Sequence, residues 1–173
     1  MVEEKTAIIV IDMLNDFVIE DGSLLVKTAS ELIPNINKEL KDARGKGWKV
    51  IYLTDSHRRD DPEFSMWPPH AVTGTWGAQV IDELKPEPDD YIIPKRRYSG
   101  FRHTQLGLVL RELGVGSVVI TGVLTNICVL FTAVEAKDLA YSVTVLKDCV
   151  ASTTKEEHEW ALRQMKMLGI KVE

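Results

Sequence analysis

Cysteine is scarce in this chain, with two residues, Cys128 and Cys149, in a length of 173. Two thiols far apart in sequence build no disulfide framework, so the expected setting is a reducing cytoplasm. No apolar run approaches the length of a membrane span, which excludes a helical membrane protein from the expectation. The opening residues, MVEEKT, lead into an apolar run without the basic-then-apolar order of a secretory signal. Positive charge is not in excess either. The 21 lysines and arginines are outnumbered by 26 aspartates and glutamates, giving a formal net charge of −5 at pH 7. A nucleic-acid binder would need a basic face, so that class is set aside along with membrane partners. The chain also lacks internal repeats, linkers and low-complexity tracts. The first apolar run is followed by DMLNDF rather than a glycine-rich phosphate loop, which argues against a nucleotide-binding domain.

What is present is the composition of an ordinary globular protein, 45% apolar and 27% charged. At this length it is expected to form one domain, residues 1–173, with a sizeable core. Short β-branched runs (AIIVI, KVIYL, DYIIP, SVVITG, SVTVL and IKV) show no period-2 alternation, as expected of strands buried on both faces. Amphipathic stretches separate several of them. Leu32, Ile33, Ile36 and Leu40 share one helical face that stops at Gly45 and Gly47, and Pro34 is tolerated only near that helix's start. Leu106, Val109, Leu110 and Leu113 form the stripe of a second helix, ended by Gly114. A last helix is predicted to open with the capping-box pair Thr153 and Glu156 and to bury Trp160, Leu162, Met165 and Leu168. Alternation of this kind implies right-handed βαβ units, hence an α/β fold: a parallel sheet with helices on both faces.

Chemistry-bearing residues fall where such a sheet would use them. Asp12 closes TAIIVID, Lys95 closes YIIPK, and Cys128 sits six residues past Gly122, which closes SVVITG. Residues beyond the carboxyl ends of parallel strands line the ligand crevice. Cys128 is predicted in the first turn of a helix, where free N–H groups and the helix dipole favour an anion. A buried structural thiol is the competing reading; Asp12 and Lys95 at other strand ends favour a nucleophile, because a thiol near pKa 8.5 needs a base or cation to activate it. Cys149 lacks such a setting and reads as a small core residue. A long irregular stretch from Asp55 to about Gly77 carries Asp55, His57 and His70, one hard oxygen and two imidazoles that suit zinc, manganese or iron. Solvated loop side chains are the plainer reading of that set. Arg96 and Arg97 offer a bidentate grip on a substrate carboxylate, or else a solvated patch. His103 and His158 are expected to be exposed and are given no role.

IVIDMLNDF, PKRRYSGF, TGVLTNICV and VLKDCVAS together resemble the isochorismatase-like cysteine hydrolases, which include nicotinamidases and N-carbamoylsarcosine amidases. The resemblance covers nearly the whole chain. It implies a Rossmann-like three-layer α/β/α fold on a six-stranded parallel sheet, and a catalytic triad on Asp12, Lys95 and Cys128. It also implies a cis peptide between Val123 and Leu124, with the backbone N–H groups of Leu124 and Cys128 forming an oxyanion hole. WPPH at 67–70 is similar to the segment that supplies the third metal ligand in nicotinamidases, so Asp55, His57 and His70 would hold a divalent ion, zinc first. Phe17 and Trp67 would flank a substrate ring, with Val123 and Leu124 also lining its pocket.

The implied activity is hydrolysis of a small carboxamide through a thioester, on nicotinamide first and an N-carbamoyl amino acid second. The alternatives are a metal hydrolase with a structural Cys128, and a catalytically silent α/β binding module. Assembly as a dimer or tetramer is implied as well. Three departures from nicotinamidases bear on the substrate. The segment from Lys95 to Ser99 is shorter, Leu124 replaces the usual alanine, and Asn126 stands where an acidic residue is common.

Overall fold

The computed structural model describes residues 5–173. Six strands form one sheet: β1 (Lys5–Ile11), β2 (Lys49–Asp55), β3 (Tyr91–Lys95), β4 (Val115–Val123), β5 (Ser142–Ala151) and β6 (Lys171–Val172). All neighbouring pairs run parallel, in the order β3-β2-β1-β4-β5-β6. The chain therefore starts in the middle, steps outward through β2 to β3, then returns to the other side of β1 for β4. That reversal puts a crevice at the carboxyl ends of β1 and β4.

Among the described residues, five α-helices accompany the sheet: α1 (Asn15–Val18), α2 (Ile33–Gly45), α3 (Leu106–Glu112), α4 (Leu130–Asp138) and α5 (Lys155–Met167). Alternate residues of the central strands enter opposite cores. Ala7, Ile9 and Ile11 of β1, with Ile51 and Leu53 of β2, pack with Leu106, Leu110, Ala133, Ala161 and Met165. Ile8, Val10, Val50 and Tyr52 pack on the other side with Ile36 and Leu40 of α2. Both faces are covered, which is why these strands carry no polar alternation. Each Ile, Val, Leu or Met side chain so buried contributes about 1.5–3 kcal/mol relative to exposure.

The helix boundaries follow local chemistry. Pro34 sits in the first turn of α2, and Gly47 takes up a positive φ of 72° just beyond its end. The cap of α5 lies one residue later than the sequence pattern suggested. Thr154, not Thr153, accepts the N–H of Glu157. The buried face of α5 is also narrower than expected, centred on Ala161 and Met165. Trp160 and Leu168 are each 46% exposed. The small Ala161 lets the helix lie close to the core, so only one stripe is covered and the bulky flanking residues fall outside it.

Two backbone features shape the crevice. Asp12 follows β1 with φ 53°, a left-handed conformation uncommon outside glycine, and its N–H donates to the Leu53 carbonyl at 2.9 Å. Gly122, with φ 105°, pairs with Ile11, and a Cβ there would stand 2.0 Å from the Ile11 carbonyl oxygen. Only glycine permits β1 and β4 to approach this closely where Asp12 leaves the sheet. Pro94 interrupts nothing, because β3 is an edge strand. Among the described residues, no helix is long and apolar enough to cross a membrane.

Candidate active site

Strand ends bring Asp12, Asp55, Lys95 and Cys128 to one buried point. The Lys95 side chain is fully buried, and its ammonium is the hub. Nζ lies 2.9 Å from Asp12 Oδ2 and 2.5 Å from Asp55 Oδ1, and it donates to Cys128 Sγ at 3.3 Å and to the Arg97 carbonyl at 3.3 Å. Asp12 Oδ1 accepts the Asp55 N–H at 2.8 Å. Asp12 Oδ2 touches the ammonium but accepts no well-directed hydrogen bond, which leaves a lone pair for another proton. The two carboxylates and the thiol lie within 4.8 Å of one another.

Two carboxylates around one ammonium cannot be equivalent, and their environments split them. Burial, then the charge of Asp55, raises Asp12 from 3.8 to about 6 against the pull of Lys95. Burial would also raise Asp55, but Lys95 and His57 overcome it and hold that carboxyl at about 2. Burial disfavours the Lys95 charge, yet Asp12 and Asp55 keep its pKa well above the ordinary value. Burial pushes the Cys128 thiol well up, only partly opposed by Lys95. The resting set is therefore a protonated thiol beside an ionised but unusually basic carboxylate.

Cys128 lies in a π-helical turn, Thr125–Val129, that leads into α4. The Val123–Leu124 peptide before it is cis. The Leu124 carbonyl accepts the N–H groups of Ile127 at 3.0 Å and Val129 at 3.1 Å. One side chain just past β5 and one from α5 fasten this turn from behind. Ser152 Oγ donates to Asn126 Oδ1 at 2.9 Å, and His158 Nδ1 lies 2.9 Å from the buried Thr125 Oγ1. His158 is thus half-buried scaffolding rather than the exposed helix residue anticipated, whereas His103 is exposed.

Asp55, His57 and His70 also converge, their ligand atoms within 4.8 Å of one another. His57 Nε2 is 3.6 Å and His70 Nε2 4.0 Å from Asp55 Oδ2. His70 Nδ1 is 2.7 Å from the Pro68 carbonyl, so its N–H donates there and Nε2 keeps a free lone pair. The His57 ring is wholly buried; Nδ1 faces Asp61 Oδ2 at 3.3 Å, whereas Nε2 makes no well-directed hydrogen bond. Two imidazoles and a carboxylate, with both Nε2 atoms turned to one Asp55 oxygen and the buried His57 Nε2 lacking a hydrogen bond, fit a divalent cation.

The cavity over Cys128 is walled by Phe17, Leu24, Leu25, Trp67, Leu124 and Ile127, with Val123 and Tyr98 beside them. Its polar lining comprises Asp12, Asp55, Glu63, His70 and Thr153, with no arginine and no lysine. The Phe17 and His70 rings stand 5.4 Å apart, and Trp67 Nε1–H donates to the Tyr98 hydroxyl at 3.3 Å. Arg96 and Arg97 do not reach this cavity, contrary to expectation. Lys95 points inward at the end of β3, so the chain turns outward after it; the buried carboxylate of Asp61 pairs closely with Arg96, and Arg97 donates to the Arg96 carbonyl at 2.6 Å. Arg96 donates to Asp61 Oδ2 through Nε at 3.1 Å and Nη2 at 2.7 Å, and Arg97 Nη1 lies 3.4 Å from Oδ1.

Sequence reasoning gave no role to Asp16, Asp61, Glu63 or Tyr98. Asp16 ties the site together: Oδ2 accepts the Ala71 N–H at 2.7 Å beside His70, and Oδ1 accepts the Ser23 N–H at 3.1 Å beside Leu24. A Cβ at Gly77 would strike Asp16 Oδ2 at 2.0 Å. Its place four residues after Asp12 was visible; its partners were not.

Residues 6–173 match the isochorismatase domain. The pyrazinamidase of Pyrococcus horikoshii, solved in complex with zinc, is 35% identical, each chain covering 98% of the other, with a TM-score of 0.94. The N-carbamoylsarcosine amidase of Thermoplasma acidophilum is 35% identical over 98% of this chain and 95% of that one, with a TM-score of 0.89. An Arabidopsis thaliana protein named as a probable inactive nicotinamidase is 36% identical over 96% of this chain and 91% of its own. The six-stranded parallel sheet and the span of the match lead to one assignment: the chain belongs to the isochorismatase family, whose amidase members cleave amide carbon–nitrogen bonds.

Proposed function

We propose that the chain is a cysteine amidohydrolase acting on small, uncharged carboxamides through a thioester. The observation that carries this reading is the single Lys95 ammonium shared by Asp12, Asp55 and Cys128. Asp12 takes the Sγ proton as sulfur attacks the amide carbonyl carbon, forming the C–S bond. The backbone N–H groups of Leu124 and Cys128 serve as donors to the developing oxyanion. Lys95 balances the negative charge as it moves from Asp12 to the substrate oxygen. Protonated Asp12 then gives its proton to the departing nitrogen as the C–N bond breaks and ammonia leaves. Water, deprotonated by the same carboxylate, attacks the thioester and releases a carboxylic acid and the thiol.

Asp55, His57 and His70 would hold a divalent ion, zinc first and manganese or iron as alternatives. Such an ion supplies a Lewis-acid contact that orients a substrate ring nitrogen or a water. Phe17 and Trp67 would flank an aromatic ring against the apolar wall.

The lining favours nicotinamide over an N-carbamoyl amino acid. Lys95 is already paired with Asp12 and Asp55, and no arginine lines the wall to grip a substrate carboxylate, which would also face Glu63. Both cysteines are free thiols, which supports a cytoplasmic setting, and a homodimer or tetramer is the expected assembly. Ammonia release from nicotinamide and from N-carbamoylsarcosine, with zinc added, tests the substrate class. Turnover of nicotinamide at a much higher kcat/KM supports this reading. Preference for the ureide would refute the neutral-amide assignment, and no release from any carboxamide or ureide would favour a silent binding module.

A further inference from the structure

We propose that Asp61, backed by Arg96, is a positioning residue for the metal site: it fixes the His57 ring so that Nε2 is presented as a ligand. The inference rests on reading Asp55, His57 and His70 as the ligands, and it deepens that reading by assigning the layer behind them.

Asp61 lies four residues after His57, and its side chain is fully buried, with Oδ2 3.3 Å from His57 Nδ1. A neutral imidazole has one N–H. A carboxylate facing Nδ1 draws the proton to that nitrogen and leaves the Nε2 lone pair directed toward Asp55. His70 receives the same treatment from the Pro68 carbonyl at its own Nδ1. Each imidazole of the cluster therefore has an oxygen behind Nδ1 and its Nε2 turned to the same carboxylate oxygen.

A buried carboxylate is costly unless it is paired. Arg96 meets that need with two donors from one planar group, Nε at 3.1 Å and Nη2 at 2.7 Å, both on Oδ2. Oδ1 accepts the Glu63 N–H at 3.2 Å and faces Arg97 Nη1 at 3.4 Å. With both oxygens held, Asp61 has little freedom to turn away from His57. The neighbouring pair Arg58–Asp60 is the ordinary counterpart, with side chains 67% and 71% exposed. Burial and the histidine contact distinguish Asp61 from a surface ion pair.

The test is zinc affinity of the purified, metal-stripped full chain, measured by competition with a chromophoric chelator, alongside the visible spectrum of the cobalt-loaded protein. Asp61→Asn keeps the shape but removes the charge, and is expected to bind zinc about 10–100-fold more weakly and to alter the cobalt bands. Arg96→Gln, at a half-exposed side chain, is expected to weaken zinc in the same direction by a smaller factor. Asp60→Asn should match the wild type. Thermal melts show whether each variant is folded; if Asp61→Asn is not, Arg96→Gln decides. Tight zinc binding by the wild type with unchanged affinity and spectrum in the folded variants overturns the role of Asp61 alone. Absence of zinc binding by the wild type overturns the ligand reading and this inference together.

Discussion

Asp55 and Lys95 are joined through one oxygen, Asp55 Oδ1 at 2.5 Å from the ammonium, while the other oxygen of Asp55 faces His57 and His70. One carboxylate thereby belongs to both clusters. The ion pair restrains the carboxylate that the imidazoles share, and Asp55 in turn helps set the charge on Asp12.

Replacing Asp55 should therefore damage two functions, of which His57→Ala damages only one. His57→Ala is expected to weaken zinc binding while Cys128 keeps its rate of alkylation by iodoacetamide. Asp55→Asn is expected to weaken zinc binding and also to change that rate. Equal alkylation rates in wild type, Asp55→Asn and His57→Ala would show the two clusters to be independent.

Removal of the Lys95 charge should unsettle the fold as well as the chemistry. Lys95→Met leaves Asp12 and Asp55 buried without their counter-ion, a change expected to cost about 3–5 kcal/mol. Urea denaturation measures it. A loss below about 1 kcal/mol would mean that the carboxylates find protons or water without strain on the structure.

The pH dependence follows from Asp12. Its carboxyl, raised to about 6 by burial and by Asp55, must be ionised to accept the thiol proton. Activity should therefore be present above that value and fall about tenfold per unit as pH drops below it. A kcat/KM profile with an acid limb near pH 6 agrees. A limb near 4, the ordinary carboxylate value, would mean that the environment of Asp12 is not as described.

Much of this was legible in the sequence because it depends on local pattern. Strands buried on both faces announce themselves as unbroken β-branched runs, and the strand-end positions of Asp12 and Lys95 follow from where those runs stop. Residue type and the WPPH segment single out Asp55, His57 and His70, whose polar atoms converge in the structure. What the sequence concealed depends on long-range partners. Arg96 and Arg97 looked available for a substrate because nothing local shows that Asp61, 35 and 36 residues away, faces them both. His158 looked exposed because its contact with Thr125 crosses from α5 to the nucleophile turn. Trp160 looked buried because a hydrophobic stripe does not say how much of it a neighbour covers.

Gly122 offers a check on the fold that is separate from catalysis. With φ 105° and the Ile11 carbonyl 2.0 Å from any added Cβ, Gly122→Ala should force β1 and β4 apart. A destabilisation of about 2–4 kcal/mol is expected, read as a lowered denaturation midpoint. An unchanged midpoint would show that the strands can separate there freely.

Ammonia release from nicotinamide by zinc-loaded Cys128→Ala, measured beside the wild type, reads the role of the sulfur itself. A nucleophilic sulfur activated by Asp12 and Lys95 requires the variant to lose turnover by at least about a thousandfold while still binding zinc and melting cooperatively. Turnover within a few fold of the wild type would assign the chemistry to another group and leave Cys128 a structural thiol.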